Sequence, residues 1–375
     1  MSSFNLVQII PSLDSGGVER GTIDVANFLA EKKIQNFIIT TGGKMITELD
    51  DNFTHVHQLP VASKNFFTYP LIGRKINKFI KANNIDIVHV RSRGPAWMIN
   101  LIAKNNFKTI ATFHNVYGGY SYLKKMYNKG LSKMDHLVAI SEYVKEMIVK
   151  KYNLPPNNIS VINRGVDTEY FNQPLDVGIR DNILKTHQID TAKKIILFPA
   201  RITSWKGQLE FIDVIKEMDT QNILVLFAGD TKNKSYTKLV QDKIEQNNLK
   251  FVCKILGSVN QDEMRSLYQI ADLSLSFPLR AEGFGRTVTE SLYSKTPVLA
   301  FDYGGVKNQL ANLSDMFKVK PQDYQALPAK IEKLFSLSEA QKKEALEGVQ
   351  SVIESNFSKI NMVNQYLKLY ESLKS

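Results

Sequence analysis

Glu282 and Glu290 bracket the most informative stretch of the sequence, Leu279-Arg280-Ala281-Glu282-Gly283-Phe284-Gly285-Arg286-Thr287-Val288-Thr289-Glu290. The spacing of two glutamates eight apart is common by chance, and Glu339 and Glu347 repeat it in a Gln- and Lys-rich helical surface. Context separates the pairs. Glu282 leaves a strand-like DLSLSF run and enters a Gly-x-Gly turn that opens a helix. Gly283 and Gly285 let backbone approach a ligand closely, and the freed amides with the helix dipole suit a phosphate. Glu282 then faces the ligand from the loop, and Glu290, more than a turn into the helix, reaches hydroxyls farther along it. The bland alternative is a loop carboxylate plus a glutamate favoured by the dipole.

A second constellation, PARITSWKGQ, places Arg201, Lys206 and Gly207 after strand-like IILFPA. It is a natural diphosphate clamp, although cations after strands are also commonplace. The third, PSLDSGGVERGT, opens a helix on Gly16-Gly17 with Glu19 in its first turn. Neither this turn nor Gly283-Phe284-Gly285 has G-x-G-x-x-G spacing, which disfavours a nicotinamide enzyme. His114 in ATFHN projects at the carboxyl end of a strand-like run, whereas His89 in DIVHV reads as packed inside a strand. No His/Cys cluster has zinc spacing and no two Asp are separated by a single residue, so the Asp-x-Asp metal clamp is absent and the expected chemistry uses no bound metal.

These residues need strand ends to hold them. Short apolar runs (LVQII, NFIITT, IDIVHV, KTIATF) alternate with amphipathic ones, and the pattern restarts at KKIILFPA, NILVLFAG, KFVCKILG and PVLAFD. That is the grammar of buried parallel strands with crossover helices. Two doubly wound α/β domains are predicted, with a polar linker over 167–192 containing Pro174 and Gly178, and a helical tail from about Ser336. Such domains bind ligands at the carboxyl ends of their strands.

Composition agrees with two globular cores: 375 residues, 43% hydrophobic and 23% charged. MSSFNLVQIIPSLDSGG lacks a basic n-region, no run approaches the ~18 apolar residues of a membrane span, and the single Cys253 excludes an intrachain disulfide. A cytosolic protein is the expectation. The net charge of +11 divides into +8 for residues 1–175 and +3 for 176–375. In the first half, 64–81 (KNFFTYPLIGRKINKFIK) and 117–133 (YGGYSYLKKMYNKGLSK) mix aromatics with cations. They suit either an anionic membrane face or helices that pack their aromatics on a sheet. No nucleic-acid module is present in the sequence.

Taken together, the GGVER turn, DIVHV, TFHN, VINRGVDTEYF, PARITSWKG, FAGD, LGSV, EGFG…E and TPVLAFDYGG resemble, in order and spacing over essentially the whole chain, the retaining glycosyltransferases of family 4. Within the family the chain is similar to bacterial enzymes of lipopolysaccharide and capsular polysaccharide assembly. The resemblance implies the α/β GT-B fold: two doubly wound Rossmann-like domains facing each other across a cleft, 1–175 for the acceptor and 176–356 for the nucleotide sugar. A C-terminal helix, 357–375, would cross back onto the first domain. It implies a metal-independent transfer from a UDP-linked sugar to a saccharide or lipid-linked acceptor, with no cofactor, at the inner face of the cytoplasmic membrane.

By position, the resemblance assigns Arg201 and Lys206 to the donor diphosphate and leaving group, Glu290 to the ribose, Glu282 to the transferred sugar, and the turn Gly283, Phe284 and Gly285 to phosphate or sugar. Gly17 would line the cleft, His114 would lie near the reacting sugar, and Val259 beside the base. Three positions depart from the family pattern: Arg164 where Asn is usual, Ala200 where Gly is frequent, and Arg91 where many relatives have a second His. A non-catalytic nucleotide-sugar-binding scaffold is the alternative from another functional class.

Overall fold

The computed structural model describes residues 4–14, 16–102, 107–118 and 121–374. Ser15 of the first glycine turn and residues 119–120 of the second aromatic-basic stretch lie outside the described residues. The chain forms two compact units, one of Met1–Gly165 with Lys359–Ser375 and the other of Val166–Ser358.

Unit 1 runs β1 (Leu6–Ile9), α1 (Gly17–Glu31), β2 (Asn36–Thr40), β3 (Thr54–Gln58), α2 (Tyr69–Ala82), β4 (Ile87–Val90), α3 (Arg93–Asn100), β5 (Lys108–Phe113), α4 (Tyr122–Asn128), β6 (His136–Ala139), α5 (Glu142–Tyr152) and β7 (Ile159–Val161). Its seven strands pair in parallel in the order β3-β2-β1-β4-β5-β6-β7. β1 and β4 are buried at every residue, which is why their sequences carry no alternation. In α2 the buried positions are Tyr69, Ile72, Gly73, Ile76 and Ile80, at helical spacing, while Arg74, Lys75 and Lys78 are exposed.

Unit 2 runs α6 (Thr168–Phe171), α7 (Val177–Thr186), β8 (Lys194–Pro199), α8 (Gln208–Ile215), β9 (Ile223–Ala228), α9 (Lys234–Gln246), β10 (Cys253–Gly257), α10 (Gln261–Ile270), β11 (Leu273–Ser276), α11 (Arg286–Tyr293), β12 (Val298–Phe301), α12 (Val306–Leu310), β13 (Lys318–Val319), α13 (Leu327–Phe335), α14 (Glu339–Ala345) and α15 (Val349–Phe357). Its six strands are also parallel, in the order β10-β9-β8-β11-β12-β13. The core is aromatic: Phe227, Phe198, Phe277 and Phe301 form a chain of rings with centroids 5.6, 6.3 and 5.0 Å from ring to ring, and Phe211 packs against Phe198 and Phe277.

The stretch read as a linker is folded. Asp176 caps α7 by accepting from the Ile179 amide at 3.0 Å, and Ile183 is buried. The chain enters unit 2 after Gly165 rather than near residue 175, because residues 166–175 are held there. Phe171 packs on Tyr268 with ring centroids 6.2 Å apart, Arg265 donates to the Tyr170 carbonyl at 3.1 Å, and the Val166 amide donates to Phe357 at 2.7 Å. The apolar signal was too short to show this, since one buried phenylalanine does the anchoring.

The last helix, α16 (Lys359–Lys374), belongs to unit 1. Met362, Val363, Tyr366, Leu369 and Tyr370 join Phe4, Leu6, Val25, Phe28, Ile87 and Ile110 in one core. The Tyr370 hydroxyl meets His89 Nδ1 at 2.8 Å, and His89 Nε2 meets the Thr112 hydroxyl at 2.7 Å. Burial holds His89 well below the ordinary histidine range, with Arg91 adding to the effect, so the ring is neutral and both nitrogens are satisfied. Replacing Tyr370 tests this closure. Tyr370→Ala should cost unit 1 about 3–5 kcal/mol in urea denaturation, and Tyr370→Phe, which strands one buried ring nitrogen, about 1–2 kcal/mol.

Candidate functional site

In each sheet the strand order reverses once, at β1/β4 in unit 1 and at β8/β11 in unit 2. Loops leaving the carboxyl ends of these two strands diverge, which opens a crevice for ligands. Of the residues singled out in the sequence, Gly17, Arg201, Lys206, Glu282, Gly283, Phe284 and Gly285 lie on the segments that leave those strands, Glu290 lies within α11, His114 follows β5, and Val259 follows β10.

In unit 2, β8 delivers the chain to Arg201, which is exposed, and on to Lys206. The buried Gln208 side chain donates to the Arg201 carbonyl at 2.9 Å, and the Lys206 amide to Thr203 at 3.1 Å, so this loop is tied to the first turn of α8. Gly207 closes it with φ +89°, where a Cβ would run into the Phe277 carbonyl. The neighbouring loop follows β11 and is bound to the first, the Leu279 amide donating to Trp205 at 2.8 Å. Lys206 forms an ion pair with Glu282 in which the side chains are only 16% and 12% exposed. The same ammonium lies 4.6 Å from the centre of the Trp205 ring.

The Gly-x-Gly turn is held from behind. Gly305 donates to the Glu282 carbonyl at 2.9 Å, and a Cβ on Gly305 would strike the Gly283 carbonyl and the Phe284 backbone. Gln309, 5% exposed, donates to the Phe284 carbonyl at 2.5 Å and accepts from the Thr289 hydroxyl at 2.7 Å. Gly285 takes φ +87° at the start of α11 and offers no side chain to cap it, so the first amides of the helix present a positive end to a ligand. On α11, Glu290 is buried and both carboxylate oxygens are engaged. Arg286 Nε approaches Oε1 to 2.5 Å, and the Tyr268 hydroxyl donates to Oε2 at 3.1 Å. Burial pushes the Tyr268 phenol well above its ordinary range, reinforced by Glu290, so it stays a donor. Val259 lies half-buried between β10 and α10. Unit 2 therefore brings Arg201, Lys206, Glu282, Gly283, Phe284 and Gly285 onto the loops flanking one reversal, with Glu290 on the helix that follows. Sequence reasoning missed Tyr268, Arg286 and Gln309; only the position of Arg286 one turn before Glu290 was a visible signal.

In unit 1, Gly16 has φ +129° and α1 starts at Gly17 with no side-chain cap. Glu19 folds toward this turn, and burial raises its carboxyl above the usual range. Arg164 donates to the Gly17 carbonyl and, at 2.9 Å, to His114 Nδ1, joining two of the sequence-nominated residues. Arg91 is 2% exposed and donates to Gln8 Oε1 at 3.0 Å through Nε and to the Tyr366 hydroxyl at 3.3 Å. Among the described residues no three His, Cys, Asp or Glu side chains converge as a metal site, and no helix is long and apolar enough to cross a membrane.

Residues 15–170 match the model of Glycosyltransferase Family 4, and residues 179–347 that of Glycosyl transferases group 1. A glycosyltransferase structure from Rickettsia africae is 33% identical, with a TM-score of 0.89 over 100% of this chain and 99% of that one. Anabaena HepE, solved with UDP and glucose, is 16% identical with a TM-score of 0.82, covering 98% of this chain and 100% of that chain. The O-antigen chain mannosyltransferase RfbU of Salmonella typhimurium is 27% identical over 64% of this chain and 63% of its own length.

The glycine pair behind the turn gives a direct test. Gly305 has φ −67°, which any residue adopts, so Gly305→Ala adds steric conflict without backbone strain. It should lower the stability of unit 2 by about 1–3 kcal/mol, read as a lower melting temperature.

Proposed function

The chain belongs to the glycosyltransferases that join a Family 4 half to a group 1 half, and from that premise we propose that it transfers a sugar from a UDP-sugar to a saccharide or lipid-linked acceptor with retention. The observation that carries the reading is the Lys206–Glu282 pair beside the uncapped start of α11, with Glu290 held one side chain further on. A diphosphate reaching this loop competes with Glu282 for the three donors of Lys206, which turns the carboxylate toward the sugar. As the bond from the anomeric carbon to the phosphate oxygen breaks, negative charge grows on the leaving diphosphate. In this reading Arg201, Lys206 and the amides of Phe284 and Gly285 stabilise it. That division of labour requires no divalent metal and no cofactor. Glu290, oriented by Tyr268 and Arg286, accepts from the ribose hydroxyls, and Val259 packs against the base. In unit 1 we assign His114 to the reacting sugar and Gly17 to the lining of the crevice after β1.

Polysaccharide assembly at the cytoplasmic face of the membrane is the setting this reading favours. A surface of unit 1 supports it: Phe67 is 95% exposed, and Tyr122 and Leu123 are each 75% exposed. The two segments are joined by Phe66 and Tyr127, ring centroids 5.4 Å apart, with Lys64, Lys124 and Lys125 exposed around them. Aromatics ringed by cations suit an anionic lipid face. Pelleting with phosphatidylglycerol vesicles at low salt should fall sharply in Phe67→Asp with Leu123→Asp; equal pelleting of the double variant removes this surface from the account.

Calorimetry with UDP, GDP, ADP and NAD in the presence of EDTA tests the donor site. UDP should bind and NAD should not, and Lys206→Ala and Glu290→Ala should each weaken UDP by about 10- to 100-fold, the equivalent of one lost charge-assisted hydrogen bond. Glu282→Ala should abolish transfer while UDP still binds. Binding without turnover by the wild type on any sugar would identify a scaffold instead.

A further inference from the structure

His114 sits at the carboxyl end of β5 with its ring buried and an arginine at one ring nitrogen. A guanidinium has only donors, and it does not give up its proton in a protein. The 2.9 Å approach of Arg164 Nη2 to Nδ1 therefore requires Nδ1 to accept. That leaves one place for the proton of a neutral ring, Nε2, and excludes the doubly protonated ring, whose Nδ1–H would point at the guanidinium. Nε2 itself is buried and has no hydrogen-bond partner among the described residues.

The surroundings act in the same direction. Burial lowers the affinity of the ring for a second proton, and Arg164 and Arg91 add to this, while the nearby Arg91 backbone opposes it. The other groups facing this corner are His89 on β4, itself neutral, Glu19 on α1, which faces Arg164, and the buried Tyr117 phenol, which bonds to the His114 backbone. None of the described carboxylates is hydrogen-bonded to the ring.

We propose that Arg164 is a positioning residue that fixes His114 as the neutral Nε2–H tautomer, so that His114 serves sugar transfer as a hydrogen-bond donor to a substrate oxygen and not as an acid–base cation. This rests on the assignment of His114 to the reacting sugar. Arg164 is tied by its second contact, to the Gly17 carbonyl, so the start of α1 and the state of the ring are set by one side chain.

The test is nitrogen-15 spectroscopy of histidine-labelled full-length protein, with the His114 signals assigned by loss in His114→Gln. In the wild type, Nε2 should show the protonated and Nδ1 the unprotonated shift, unchanged down to about pH 5, where an ordinary histidine is charged. Arg164→Ala should move both signals toward a mixture of tautomers and bring protonation to higher pH. Arg164→Lys, which still donates to Nδ1, should restore the wild-type pattern and guards against a variant that misfolds. In transfer assays Arg164→Ala should lower kcat with little change in UDP affinity and shift the acid limb of the rate profile upward. A wild-type ring charged at neutral pH, or protonated on Nδ1, overturns the proposal, as does an Arg164→Ala spectrum identical to wild type. Failure of the wild type to transfer any sugar would count against the proposed function; the spectrum would still decide the state of the ring.

Discussion

The site rests on a constraint of topology. In a doubly wound parallel sheet the crossovers on the two sides of the strand that comes first in sequence run in opposite senses, so only one neighbouring pair of strands releases its loops in diverging directions. In unit 2 that pair is β8 and β11. A lysine on one loop and a glutamate on the other can meet only because the reversal puts the two strand ends side by side. The hydrogen bond from Leu279 to Trp205 then locks the loops at the spacing the ion pair needs. Gly207 and Gly305 are required there because backbones pass one another without room for a methyl group, and Gly285 because it takes φ +87° with the Val306 side chain where a Cβ would stand.

The two units handle buried charge differently. In unit 2 two cations at the site have carboxylate partners, Lys206 with Glu282 and Arg286 with Glu290. An anionic ligand can displace a carboxylate and leave both charges compensated. In unit 1, Arg91 is taken out of water and satisfied by Gln8 and Tyr366, neutral acceptors that leave its charge in place. Burying a cation costs desolvation energy, and the field of Arg91 adds to burial in keeping His89 and His114 neutral, so no second positive charge develops beside it.

Much of this was legible in the residue order. Glycines with positive φ, a strand run ending in Arg-x₄-Lys, and a carboxylate entering a Gly-x-Gly turn are local signals, because strand, turn and helix start are contiguous in the chain. Both sheets could be anticipated for the same reason. What escaped notice depends on partners remote in sequence. Tyr268 reaches Glu290 from the preceding helix, Gln309 braces Phe284 from the following one, and Tyr370 meets His89 across 281 residues. No spacing rule encodes such pairs. The stretch 167–192 read as a linker for a related reason: its attachment to unit 2 comes from Phe171 and backbone bonds, not from a run of apolar residues.

The closing of unit 1 by α16 bears on how the protein is made. Residues 166–358 form a unit whose strands and helices are consecutive, so it has all its parts as soon as that segment has left the ribosome. Unit 1 emerges first yet waits for residues 359–374, and until they arrive the faces of Phe4, Leu6 and Ile87 that Tyr366 and Tyr370 cover remain open, with His89 lacking a partner for Nδ1. At about 5–20 residues per second, the intervening segment imposes a delay of roughly ten to forty seconds. During biosynthesis the second domain is therefore complete before the first, and the nascent amino-terminal half is the part of the chain that a chaperone would have to shield.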